Sequence, residues 1–490
     1  MGTATWNGSA SNDWATPANW TPSGVPANGD DIVIPDTSLI NECVLDQARN
    51  VNSFTLDAAG EFSQGNTLFV NGKDSSDWAV NCAGNITDVS DFTIATPSAA
   101  NVKFVNADTG TGSFRSVVVN HASCVLSLGA STSAITSLTI TEGTLASGGW
   151  TLEVSGKTTI GDASHSSEDQ ATLNCGNSAV YLGSGKTDDY AIQMLAGGTF
   201  AGGSGNHTTG AIRQNVANTK FTFTAATTTI NSEYISEDRM LELTAGKVYN
   251  ADGRITLSGA FTSCIQWTGP SGDTGPHTLR LNDASLTVKP RNTLYVEENL
   301  NIDAGTFNTQ YDGSDKDLTV TGAIDITGTL TGNASAISAG GLRVNNTGIF
   351  NAPTSVGSCS ITGELSSYAF RISGGGTLNN NTGTITFLNV NSRLMMNGTG
   401  NIYNLTLNHA SCFIMLHSDG TTTIEGNLTI TAGQLTTYME GTTTSKDLTV
   451  TGTTSISGTL TCNDSDITLG TGKTDGWALS IGTTGTFTGG

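Results

Sequence analysis

The feature that most constrains this chain is that it repeats itself. Val119-Asn120-His121-Ala122-Ser123-Cys124 returns as Leu407-Asn408-His409-Ala410-Ser411-Cys412. Ser137-Leu138-Thr139-Ile140-Thr141 returns as Asn427-Leu428-Thr429-Ile430-Thr431, and Leu182-Gly183-Ser184-Gly185-Lys186-Thr187-Asp188 as Leu469-Gly470-Thr471-Gly472-Lys473-Thr474-Asp475. A third, diverged copy opens at Leu279-Arg280-Leu281-Asn282-Asp283-Ala284-Ser285. The copies occupy residues 117–203, 279–353 and 405–490. Repetition at this scale implies stacked supersecondary units that bury their faces against one another.

Inside the copies a smaller unit recurs: a strand of alternating polarity, then Gly, any residue and a large apolar residue. Ile302 with Gly305 and Phe307, and Ile430 with Gly433 and Leu435, are examples. Alternation sends every second side chain to a core, and Gly supplies the positive φ that a tight corner needs. Tandem β-sandwiches are the alternative, but these would show polar linkers and Pro-marked boundaries, and Pro is sparse after Pro35. The reading is therefore all-β: a parallel β-helix, right-handed because parallel crossovers are right-handed. At about 20–25 residues per coil, residues 37–490 give on the order of 20 coils.

Residues 1–36 differ. Three of the seven Trp (Trp6, Trp14, Trp20) and four of the nine Pro fall there, as expected of a cap over the open end of a stack. The pattern Trp6-Asn7-Gly8, Trp14, Asn19-Trp20, Gly24-Val25-Pro26 and Asp30-Asp31-Ile32-Val33-Ile34 resembles the segment that opens many bacterial surface β-solenoids, including autotransporter-like passengers and related fibre proteins. That resemblance implies a surface-exposed structural or adhesive role.

Composition narrows the function classes. Lys and Arg number 20 against 42 Asp and Glu, a net charge of −22 that repels nucleic acid. No apolar run approaches the roughly 18 residues that cross a bilayer as a helix. Met1–Trp6 lacks a secretory leader pattern, which favours a virion surface over a bacterial cell surface. The ending at Gly489-Gly490, without a polar or aromatic cap, leads to an expectation of self-association, as a trimer or an end-to-end filament.

Candidate chemistry is sparse. His121 with Cys124, and His409 with Cys412, stand three apart, so on an extended strand they face opposite sides and cannot share a metal. Cys124 and Cys175 correspond to Cys412 and Cys462, while the third copy has Leu286 and Gly332. Joint presence and joint loss suggest contact within each copy, either a disulfide or two stacked thiols. Gly185-Lys186-Thr187 and Gly472-Lys473-Thr474 lack the full phosphate-loop spacing and read as turns. Acidic turns such as Asp312-Gly313-Ser314-Asp315 do not form a regular Ca²⁺ series, so no cofactor is expected. The acidic residues, among them Glu233, Glu237 and Asp238, are scattered, whereas glycoside hydrolysis needs two carboxylates flanking a groove. The expectation is a non-catalytic structural fibre or virion protein that mediates assembly or attachment. A glycan-binding adhesin and a polysaccharide-degrading β-helix enzyme are the alternatives.

Overall fold

The computed structural model of the chain describes residues 2–35, 41–57, 61–64, 68–70, 78–82, 85–87, 92–94, 101–106, 116–128, 135–250, 252–268, 271–272, 275–363, 368–438 and 445–489. Among these there is no α-helix, and the chain winds as a parallel β-solenoid of about 17 turns. Two compact units divide it: residues 1–253 with 268–273, and residues 254–267 with 274–490.

In the second unit one inward column runs Leu279, Leu300, Ile324, Leu342, Phe370, Leu394, each paired in parallel with the next. The steps are 21, 24, 18, 28 and 24 residues, so coil length varies while the register of the inward face does not. In the first unit the column Leu145, Leu173, Phe200, Phe221, Val248 behaves alike, every member 2% exposed or less. Period-two patterning makes this possible: in Leu138-Thr139-Ile140 the two apolar residues are buried and the Thr faces outward. Each inward Leu, Ile or Phe contributes about 1.5–3 kcal/mol of transfer free energy. The parallel ladders settle the fold against tandem β-sandwiches, which are antiparallel.

At the start of the first unit Trp6, Trp14 and Trp20 are 0–1% exposed and interlock edge to face, with Trp20 centred 5.0 Å from Trp6 and 4.7 Å from Trp14. Trp20 Nε1 donates to the Trp14 carbonyl at 2.8 Å, so the polar end of the ring is satisfied inside the cluster. Trp14 in turn meets Phe62, which packs on Phe54. The boundary expected near residue 36 is less sharp than the sequence suggests. Asp31–Ile34 already pairs in parallel with Ser53–Leu56, and Thr3–Trp6 with Asp31–Ile34, so the ladder begins inside the Trp-rich segment.

Candidate functional site

The three copies share one local device. Ser116–Leu128, Thr278–Pro290 and Asn404–Leu416 are thirteen-residue strands that turn a corner at their middle. In the first, Asn120 pairs with Glu142 and Val125 with Thr144, so residues 121–124 face Gly143 alone. Residues 283–286 face Gly305 and residues 409–412 face Gly433 in the same manner. These glycines have φ of 87°, 78° and 83°. A Cβ on Gly433 would stand 2.4 Å from the Cys412 carbonyl oxygen and 2.6 Å from that of His409, so the corner admits only Gly there.

The corner explains the His-to-Asp exchange. The Ser123 N–H donates to His121 Nδ1 at 3.2 Å, the Ser411 N–H to His409 Nδ1 at 3.2 Å, and the Ser285 N–H to Asp283 Oδ1 at 2.9 Å. Imidazole and carboxylate are interchangeable acceptors closing the same local turn. His and Cys diverge where both are present: His409 is exposed and His121 half-buried, while Cys412 and Cys124 are buried.

Beside this corner the second unit carries two open grooves. One of ≈ 510 Å³ is lined by Ser411, Thr431, Ala432, Gly433, Ser457 and Thr459, the other of ≈ 330 Å³ by Ala284, Asp303, Ala304, Thr306, Thr327 and Thr329. They occupy equivalent places in the two copies. Small residues leave the space, and hydroxyls with corner backbone groups offer neutral donors and acceptors. Asp303 is neutralised by Arg280.

In the first copy an insert of the chain's own residues runs beside the same corner, and Gly143 is buried there. Residues 161–170 intervene there between Ile160 and Ala171, where only Ser457 and Gly458 stand between Ile456 and Thr459. The insert puts His165 Nε2 3.7 Å from Glu142 and over Gly197, gives the Ser166 carbonyl to Asn218 Nδ2 at 3.1 Å, and sets Glu168 2.8 Å from Lys247 Nζ. Glu142 and Lys247 lie on the first and last of five successive rungs.

The first unit also holds a charged cluster against its sheet. Tyr190, 1% exposed, has its hydroxyl 3.0 Å from Glu242 and 3.1 Å from Glu237. Arg239 pairs with both carboxylates, at 2.5 Å and 3.0 Å, and Arg213 lies 3.2 Å from Glu242 with its guanidinium over the Tyr190 ring. Two cations and two anions cancel. Burial first, then the Glu242 charge, holds the Tyr190 phenol far above its ordinary range, so it serves as a hydrogen-bond donor and not as a base. Of this cluster the sequence reading had singled out only Glu237. Tyr190, Arg213, Arg239 and Glu242 come together through coil lengths, and the one local signal is the irregular stretch near 204–240.

The cysteine expectation needs correction. From Cys124 to Cys175, and from Cys412 to Cys462, the register counts two rungs across and four residues along the strand. That separation is roughly 15 Å at strand spacings, well beyond the about 7 Å between Cα atoms that a disulfide spans. Cys175, Cys412 and Cys462 are buried thiols, and burial pushes Cys462 up to about 11. What the copies share at the second position is a backbone contact. The carbonyls of Cys175, Gly332 and Cys462 accept from Ser147, Thr309 and Thr437 hydroxyls at 2.6, 2.8 and 2.6 Å, which leaves the side chain free to vary. The Gly-Lys segments are turns, Lys186 pairing with Asp188 at 2.6 Å and Lys473 with Asp475 at 3.6 Å.

Comparison with protein-family models, curated proteins and solved structures found no match.

Proposed function

We propose that this chain is a structural, surface-exposed β-solenoid, a fibre or virion-decorating shaft that self-associates and supports attachment, without catalysis. The observation that carries this reading is the use of the polar groups. Among the described residues the densest cluster of titratable side chains, at Tyr190, Arg213, Glu237, Arg239 and Glu242, is consumed by its own ion pairs, and its phenol is buried. Such an arrangement contributes rigidity, and fold-level analogy supplies the step from scaffold to shaft. Its extracellular setting, on a virion or a bacterial surface, belongs to the same proposal.

Sedimentation of the full chain across micromolar concentrations tests the assembly half: association that grows with concentration is expected, and a strict monomer refutes it. Incubation with acidic and neutral polysaccharides, followed by assay of reducing ends and unsaturated products, tests the rest. Polymer cleavage would overturn the non-catalytic reading.

The two equivalent grooves favour a second reading, an adhesin that binds hydroxyl-rich glycans at recurring corners. Glycan-array binding that is lost in Ala304→Trp with Ala432→Trp would support it.

A further inference from the structure

One outward column of the second unit is unbalanced in charge. Asp325, Arg343 and Arg371 stand on three successive rungs, paired in register. Asp325 is fully used by Arg343, which reaches it with Nε and Nη2 at 2.6 Å each. Among the described residues Arg371, next in the column, hydrogen-bonds only to the Asn345 side-chain oxygen, and its buried Nε has no hydrogen-bond partner. One rung further, Arg393 pairs in register with Tyr368. Both guanidinium carbons lie over the Tyr368 ring, at 5.7 Å for Arg371 and 6.0 Å for Arg393.

Neither Arg371 nor Arg393 has a carboxylate partner among the described residues. In a chain with 42 acidic residues and 20 basic ones, Arg49, Arg213, Arg239, Arg280 and Arg343 are all paired, and Arg291, which shares its unpaired state among the described residues, stands alone over the Tyr311 ring, whereas Arg371 and Arg393 crowd onto one. Two guanidiniums sharing one ring repel each other, and a buried donor without an acceptor is destabilising. Lys446 adds to the positive field, which His417 reports. Tyr368 Oη lies 3.4 Å from His417 Nδ1, and burial together with the charges of Arg393 and Lys446 keeps that imidazole below its ordinary range. Asp419, the nearby acid, is engaged by Asn397.

We propose that Arg371 and Arg393, steered by Tyr368, form a binding site for an oxyanion, a carboxylate, sulfate or phosphate carried by a ligand polymer. A planar guanidinium pair presents two forks to such a group, and each charge-assisted hydrogen bond is stronger than a neutral one. The inference goes beyond the structural reading and needs neither the grooves nor self-association. The ligand would be an acidic sugar if the carboxylate is preferred, or a sulfated or phosphorylated polymer if those anions are.

The test uses the intact chain. Phenylglyoxal modification of Arg371 and Arg393, followed by peptide mass spectrometry, is compared with Arg291 as internal reference. The probes are sodium glucuronate, sulfate and phosphate, against chloride at equal ionic strength. With a Kd on the order of 1 mM, about 10 mM of the preferred anion slows modification of both residues roughly tenfold and leaves Arg291 unchanged. Arg393→Gln is expected to abolish the protection of Arg371, and the best-protecting anion identifies the source. Equal rates with and without all three oxyanions, or protection by chloride as strong as theirs, would overturn the proposal.

Discussion

His207 gives this solenoid an acid-labile point. It sits in an inward column between Val180 and Thr228, 3% exposed, edge to face with Phe200 at 5.8 Å. Burial lowers its imidazole from 6.5 to about 4, outweighing the Gly202 backbone contact that favours the charged form. The unfolded chain therefore binds the proton first. Stability is whole above pH 6.5 and falls as pH drops towards 4, by about 3 kcal/mol over the full window. At pH 5, before most carboxylates titrate, about 2 kcal/mol is already lost. Amide exchange of strands Val180–Leu182, His207–Thr209 and Thr227–Ile230, corrected for intrinsic rates, is to be compared at pH 7 and pH 5 in wild type and His207→Val. Wild type should lose roughly 2 kcal/mol of opening free energy more than the variant. If the two lose equal amounts, the buried imidazole is not the cause and the reasoning fails.

Gly433→Ala should destabilise the second unit by about 1–3 kcal/mol in urea unfolding, because the corner forbids a Cβ, whereas His409→Asp should be nearly neutral. Equal effects of the two changes would contradict the shared-acceptor account. Arg239→Met strips a partner from Glu237 and the buried Glu242, and a loss of about 3–5 kcal/mol is expected from thermal or denaturant unfolding. A change below 1 kcal/mol, on the order of a surface pair, would place that cluster in solvent. Cys359, pushed up to about 12 by burial, and Cys462 should resist iodoacetamide at pH 8 in the folded chain and react after denaturation. A non-reducing peptide map with Cys412 joined to Cys462 would refute the register.

Much of the fold was legible in the sequence because duplication preserves what physics demands at each position. Cys124, Leu286 and Cys412 fall at the same place in three thirteen-residue strands, all buried, and the Gly of the recurring unit is the residue that faces them. The right partners for the cysteines were not legible, since paired presence says nothing about register. Cys175 and Cys462 vary with Gly332 because only their carbonyls are held. The Tyr190 cluster was hidden for a related reason. Its members are up to 52 residues apart, and steps of 18 to 28 residues per coil prevent a reader from counting which side chains will stack. Likewise Arg371 stands out only once Asp325 is seen to be spent on Arg343.

The insert at residues 161–170 has a mechanical consequence. In a stack whose rungs touch only their neighbours, unfolding can run like a zipper, one rung at a time. A strap that passes His165 beside Glu142 and is fastened at Asn218 and Lys247 ties rungs that otherwise touch only their neighbours. Pulled from its ends, the first unit should yield this block in a single large step, while the second unit, whose equivalent corners carry no such strap, should give way in smaller increments.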